Sequence, residues 1–220
     1  GGNVFTFLMK HQGLSFPEAA MMLARRYNIE IPRPEMSPAR KKAVSEKETL
    51  LSIIREATAF FRSQLTGSAG ERARRYLKER GLSEEITEEF QIGYAPAGWA
   101  HLVNYFRQKP VPLKMVEKAG LIAQKNDYYD RFRDRVIFPT TDITGRIVGF
   151  GGRVLDDSLP KYLNSPETPL YNKRRILYGL GHVKQHCRQA GTVYITEGYM
   201  DFLALYRYGL KNVVATLGTS

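Results

Sequence analysis

The sequence predicts an α+β part followed by the start of an α/β part with parallel strands. Three observations carry this. Apolar residues recur at helical spacing from Leu50 to Leu65. Two apolar runs, Arg135–Phe138 and Arg146–Phe150, flank the turn signal Asp142-Ile-Thr-Gly145, as in a hairpin. Val193–Thr196, Phe202–Tyr208 and Asn212–Thr216 read as strand, helix and strand, the unit that builds parallel sheets.

Residues 1–31 read as two short helices around Val4, Phe5, Phe7, Leu8 and around Phe16, Ala19, Ala20, Met22, Leu23, Tyr27, with Pro17 where a helix begins. Two short helices make a thin core. Residues 32–44 hold Pro32, Pro34, Pro38 and a basic run, and are expected to be a linker. Ser45 and Glu48 make a capping box for the helix that carries Leu50, Ile54, Ala57, Phe61 and Leu65. Glu71–Arg80 is a second helix stopped by Gly81, and Ser83 starts a third. Short helices at Trp99–Gln108 and Leu113–Ala119 close at Pro110 and Gly120. The hairpin follows, then a loop over Ser158–Asn172, then a helix near Gly181–Gln189. The expected organisation is 1–31, linker 32–44, a mixed part 45–190 and the α/β start 191–220.

Composition narrows the function classes. The chain has 220 residues, and 33 Lys+Arg against 22 Asp+Glu give a net charge of +11. That points to a polyanionic partner, nucleic acid first and a membrane surface second. No apolar run is long enough to cross a bilayer, and no basic n-region opens the chain. Cys187 is the one cysteine, which excludes an internal disulfide and a cysteine-rich zinc site and suits a reducing cytoplasm. His182 and His186 have the spacing of two ligands on a helix, but without a third ligand a surface helix is expected. The start lacks Met and the end follows closely on a strand, so a piece of a longer protein is expected.

The stretch Thr192-Val-Tyr-Ile-Thr-Glu197-Gly-Tyr-Met-Asp201 is the most informative. Val193–Thr196 reads as a buried strand, which puts Glu197 at its carboxyl end, where open α/β sheets place ligands. Asp201 falls near the first helical turn, close enough for both carboxylates to meet one hard divalent cation. The same acids also suit a helix N-terminus through its dipole, so this stretch alone supports both readings.

A basic and aromatic band precedes it. In Tyr128-Tyr-Asp-Arg131-Phe-Arg133-Asp-Arg135 the arginines alternate with other residues, so an extended chain lines Arg131, Arg133 and Arg135 along one face. Three guanidinium groups on one face call for an anion, phosphate above all, with pairing to Asp130 and Asp134 as the alternative. Arg153 stands beside glycines that allow close backbone approach. Lys161-Tyr162-Leu-Asn164 and Tyr171-Asn-Lys173-Arg-Arg interleave cations, rings and amides, a mix that suits phosphates, bases and sugars.

Read in order, Gly93–Trp99, Asp130–Pro139, Gly149–Leu155, Lys161–Thr168, Leu177–Leu180 and Glu197–Asp201 resemble the bacterial replicative DNA primases, over essentially the whole chain. The opening resembles the sequence just after that family's zinc ligands. The resemblance implies an α+β half followed by a TOPRIM α/β half, and DNA-templated synthesis of short RNA primers. It implies that Glu197 is catalytic and metal-binding, and that Asp201 belongs to the same Mg²⁺ (or Mn²⁺) site. Lys161, Tyr162, Asn164 and Lys173 match positions around the incoming nucleotide. Arg80, Arg131, Arg133, Arg135 and Arg153 match the basic surface for DNA. Arg174 stands where the family has glycine. Implied partners are single-stranded DNA template, ribonucleoside triphosphates and, through other domains, the replicative helicase and single-strand binding protein. The implied location is the cytoplasmic replisome, with no membrane. The zinc ligands and the further TOPRIM acids match nothing in residues 1–220, so this chain alone is expected to be inactive. Another TOPRIM enzyme, a topoisomerase or nuclease, and a non-catalytic single-strand binding module are the alternatives.

Overall fold

The structure is a computed structural model that describes residues 2–12, 15–27, 29 and 37–218. The chain divides into two units, Gly1–Lys42 and Ala43–Ser220.

In the first unit, α1 (Val4–Gln12) and α2 (Phe16–Arg26) form as the apolar clusters predict. They meet through Phe5 and Phe16, whose rings are 5.3 Å apart, and Ala19 is buried. A capping box does occur, but at Ser15, whose N–H and hydroxyl both donate to Glu18. Residues 32–36 of the expected linker lie outside the described residues.

The helix α3 runs Pro38–Thr66, so it begins seven residues before the predicted Ser45 cap. Proline is tolerated in the first turn, and Ser37 accepts from the N–H of Arg40 at 3.3 Å. The Ala-Arg-Lys-Lys-Ala run then propagates the helix through the supposed linker. Ser45 lies inside it.

The second unit is organised by a four-stranded antiparallel sheet in the order β1 (Gly93–Ala95), β4 (Arg135–Thr141), β5 (Ile147–Val154), β6 (Tyr162–Asn164). Pairing of Phe138 with Gly151 and Ile137 with Gly152 sets the register. One face shows Ile137 and Phe150. They join a core with Leu50, Ile54 and Phe61 of α3, with Leu102 and Phe106 of α6 (His101–Arg107) and with Val116 of α7 (Leu113–Lys118). The other face shows Tyr94, Val136 and Phe138. It joins Leu77 of α4 (Glu71–Glu79), Phe90 after α5 (Glu84–Glu89), Val183 of α8 (Leu180–Ala190), and Phe202 and Tyr206 of α9 (Tyr199–Arg207). The sheet is therefore covered on both faces, which explains why β4 is buried along its whole length. A small hairpin, β2 (Ile122–Gln124) with β3 (Tyr128–Asp130), stands apart.

The parallel pair is β7 (Tyr194–Thr196) with β8 (Val213–Ala215), joined by α9. A strand at Asn212–Thr216 so near the end of the chain is expected to present an unpaired edge, and that expectation is corrected at one position. Tyr178 and Ala215 exchange backbone hydrogen bonds of 2.8 and 3.1 Å, an isolated bridge on the side of β8 away from β7. The expected burial of Val193–Thr196 is corrected too. Val193, Tyr194 and Ile195 are exposed, because β8 is the one strand bonded to β7 among the described residues.

Candidate active site and nucleic-acid interface

The acid pair sits where the sequence places it along the chain. Glu197 follows β7, Gly198 caps α9 in an extended conformation, and Asp201 lies in the first turn. Both side chains are exposed. A Cβ at Gly198 would lie 3.3 Å from Oδ2 of Asp201, so glycine leaves the Asp201 carboxylate room at the loop. The backbone of Glu197 is tied to the loop after β8, where its carbonyl accepts from the Thr216 hydroxyl at 3.3 Å. Two exposed carboxylates are the right donors in kind for a hard divalent ion. Among the described residues no group of three or more His, Cys, Asp or Glu side chains is arranged for a metal.

A ladder of cations and rings leads from the surface to this loop. The guanidinium of Arg80 lies 5.3 Å from the Tyr76 ring, and that of Arg153 lies 4.7 Å from the same ring. Arg153 also lies 5.6 Å from the Tyr162 ring and donates to the Tyr162 hydroxyl at 3.1 Å. Tyr162 is 6.1 Å from Tyr199, the first residue of α9. Pairing explains the alignment: Arg153 faces Tyr162 across β5 and β6, and residues so paired share a face. Arg153 is only 6% exposed and has no carboxylate partner among the described residues. Its charge is held by rings and a carbonyl instead.

The single-face row of Arg131, Arg133 and Arg135 does not form. The segment after β3 leaves extended geometry, Asp134 has φ 46°, and Arg135 already belongs to β4. Each arginine goes a different way. Arg135 is 8% exposed and reaches the carbonyls of Gly152 and Lys161 at 3.5 and 3.4 Å. Burial, and then the Arg133 charge, lower its pKa. Arg131 is half-buried with its Nε unpaired. Arg133 lies 4.3 Å from the Trp99 ring and 5.7 Å from Tyr129, while its guanidinium donates to the Asp130 carbonyl. Phe132 turns inward, between Phe61 and Phe150.

The acids of this segment serve the scaffold. Asp130 is buried and accepts from the N–H groups of Leu102 and Val103 at 2.8 and 2.9 Å, capping α6 in place of an N-cap side chain. Burial raises its pKa, opposed by those two bonds. Asp134 accepts from Tyr94 at 2.7 Å and pairs with Arg72 at 3.2 Å. Fixing Asp130 fixes the turn that presents Trp99, which is 66% exposed with Arg133 over its ring.

The loop expected over Ser158–Asn172 contains β6, and this strand carries Tyr162 and Asn164, with Lys161 just before it. Lys161 and Tyr162 are exposed. Asn164 is tied at both ends: Oδ1 accepts from the Tyr199 hydroxyl at 2.6 Å, and Nδ2 donates to the Leu217 carbonyl at 2.8 Å. Burial holds the Tyr199 phenol well above its ordinary pKa, so it stays a donor. The backbone N–H of Lys173 donates to Glu167 at 3.0 Å, and its Nζ lies 3.8 Å from where a Cβ of Gly218 would be.

Of the residues singled out from sequence, Arg80, Arg153, Tyr162 and Asn164 are joined to the start of α9, with Lys161 beside them. Arg133 lies over Trp99, and Arg131 is tied through its backbone N–H to the Leu121 carbonyl. Tyr76, Trp99 and Tyr199 were missed. Gly98-Trp99 was the one visible signal, an aromatic beside a glycine at the very start of an expected helix. The helix carrying both histidines is only partly a surface helix: His186 is exposed, but the His182 ring packs 4.8 Å from Phe90.

Comparison with known proteins identifies the family to which the chain belongs. The family model "DNA primase catalytic core, N-terminal domain" matches residues 60–184, and a Toprim domain model matches 191–220. The chain is 44% identical over 224 residues to the DNA primase of Pseudomonas putida, covering all of this chain and 34% of that protein. It is 40% identical over 221 residues to the DNA primase of Escherichia coli K12, covering 38% of that protein. The chain thus spans about a third of the length of these curated relatives. The solved DnaG primase catalytic domain bound to ssDNA superposes with a TM-score of 0.76 at 42% identity, over 80% of this chain and 56% of that one. The Aquifex aeolicus primase, with its zinc-binding and RNA polymerase domains, gives 0.72 at 32% identity over 99% of this chain and 52% of that one. With a catalytic-core family model covering more than half of it, this chain belongs to the DnaG-type DNA primases.

Proposed function

We propose that the protein containing this chain synthesises short RNA primers on single-stranded DNA for replication, by nucleotidyl transfer from ribonucleoside triphosphates. The observation that carries this reading is the ladder Arg80–Tyr76–Arg153–Tyr162–Tyr199, which ends at the loop of the two acids. It sits in a chain at least 40% identical to proteins named DNA primase. Cations neutralise a triphosphate, rings stack on bases, and carboxylates hold a metal, so the three chemistries meet along one path.

Lys161, Tyr162 and Lys173 bind the incoming nucleotide, with Asn164 in the same strand. Arg153 and Arg135 set the positive potential beneath them from buried positions. Trp99 and Arg133, with Arg131 and Arg80, track the template. A ring under a guanidinium gives sequence-tolerant stacking, as a template reader needs. Glu197 and Asp201 would hold Mg²⁺ or Mn²⁺. Bound there, a divalent ion supplies charge stabilisation for the attacking and leaving oxygens. Two carboxylates are few for such a site, so residues 1–220 alone are inactive in this reading. Zn²⁺, the replicative helicase and single-strand binding protein engage other domains of a cytoplasmic replisome protein. No helix among the described residues is long and apolar enough to cross a membrane.

The test uses the complete protein with single-stranded DNA, Mg²⁺ and labelled ribonucleotides. Short RNA products without cut template support the reading. Template cleavage or relaxation without RNA synthesis would assign the acids to a nuclease or topoisomerase instead.

A further inference from the structure

We infer that Tyr199 and Asn164 form a positioning joint that sets the register between the nucleotide strand and the acid pair. The inference rests on the primase reading and deepens it. It also changes the task of Asn164, from a ligand of the nucleotide to a tie between loops.

The Tyr199 ring needs no hydroxyl to stay in place. It stacks on Phe138, 5.1 Å away at 14°, and meets the edge of Tyr178 at 4.7 Å. It lies over Gly151, where a Cβ would come within 2.2 Å of it. Packing thus fixes the ring, and the hydroxyl is spent on Asn164 at 2.6 Å. The other end of the Asn164 amide then holds the Leu217 carbonyl at 2.8 Å. One amide therefore ties together β6, the start of α9 beside Glu197 and Gly198, and the loop after β8. The last two lie at the carboxyl ends of parallel strands, the rim where open α/β sheets bind ligands. Lys161 and Tyr162 precede Asn164 by three and two residues, so a slip at the joint shifts them against Glu197 and Asp201. Displacements of about 1 Å near reacting groups cost on the order of a hundredfold in rate.

The experiment is a double-mutant cycle in the complete protein with Tyr199→Phe, Asn164→Ala and both. It reads kcat and KM for ribonucleotides, melting temperature and single-stranded DNA affinity. The joint predicts that each single change lowers kcat by about tenfold or more, with KM within about twofold and DNA affinity unchanged. It also predicts that the double variant is no worse than the poorer single. A raised KM in Asn164→Ala beside a normal Tyr199→Phe would make Asn164 a direct ligand and overturn the inference. Lowered melting temperature with normal kcat would reduce the joint to scaffold and overturn it as well. If the wild-type protein makes no primers, the primase reading fails separately. Hydrogen exchange then decides the joint: Tyr199→Phe must speed exchange at both Leu163–Ser165 and Leu217–Gly218, and unchanged rates sink it.

Discussion

The guanidinium of Arg207, at the end of α9, occupies the space that a Cβ at Gly81 would fill, 1.7 Å from Nη1. It donates to the carbonyls of Arg80 and Gly81, so a cation from the Toprim segment closes the carboxyl end of α4. The neighbouring Tyr206 hydroxyl bonds Glu89, adding a second tie between α9 and the α4–α5 region. With Tyr199 held at the other end, both ends of the helix that carries Asp201 are anchored.

Gly81 has φ 73°, so any side chain there is strained and also evicts Arg207. Gly81→Ala is expected to cost ~2 kcal/mol or more, counting the left-handed backbone and the lost cap. Urea unfolding measures it; an unchanged midpoint would show that the contact between α9 and α4 carries no stability.

Trp99 and Arg133 make separable predictions for single-stranded DNA. Trp99→Ala removes a stacking face, which is worth ~1–3 kcal/mol, and leaves the salt slope as it was. Arg133→Ala removes one phosphate contact, and the slope of log affinity against log salt flattens by about 0.7. Titrations at several salt concentrations check both. Equal slopes in wild type and Arg133→Ala would turn this guanidinium away from the phosphates.

His182 predicts a pH effect on stability. Burial lowers its pKa below the ordinary 6.5, against a weaker opposing pull from Glu89. Its Nδ1 is buried without a partner. The unfolded chain therefore takes up a proton in a range where the folded chain resists it. Stability is full above 6.5 and falls as pH drops through 6.5 toward the lower folded value. Unfolding free energies between pH 7.5 and 5.5 should show this decline, and His182→Leu should shrink it. A decline of the same size in the variant would assign it to other groups.

Much of the fold was legible because local and tertiary signals agree. Gly81, Ser83, Gly120 and the Asp142–Gly145 turn delimit elements by backbone chemistry, which acts within a few residues. Two of the misses have a conformation that is decided elsewhere in the chain. β6 is three residues long and exists because β5 offers it an edge. The arginine alternation looked extended, but its residues divide between a hairpin, a bend and the main sheet. The start of α3 was hidden by Pro38, which reads as a breaker inside a run and as a favoured residue at a first turn. For the site, the carboxylates were visible in order and spacing. Of the rings that link them to the cations only Tyr162 was singled out, since Tyr76, Tyr162 and Tyr199 come from three separate elements.

Primer synthesis by Glu197→Gln in the complete protein tests the central claim most directly, with single-stranded DNA affinity measured on the same sample. Loss of synthesis by at least about a hundredfold, with template affinity within about twofold, is the predicted result for a group that serves the metal site. Normal synthesis by that variant would contradict the account, because the ladder of cations and rings would then lead to a carboxylate with no part in the chemistry.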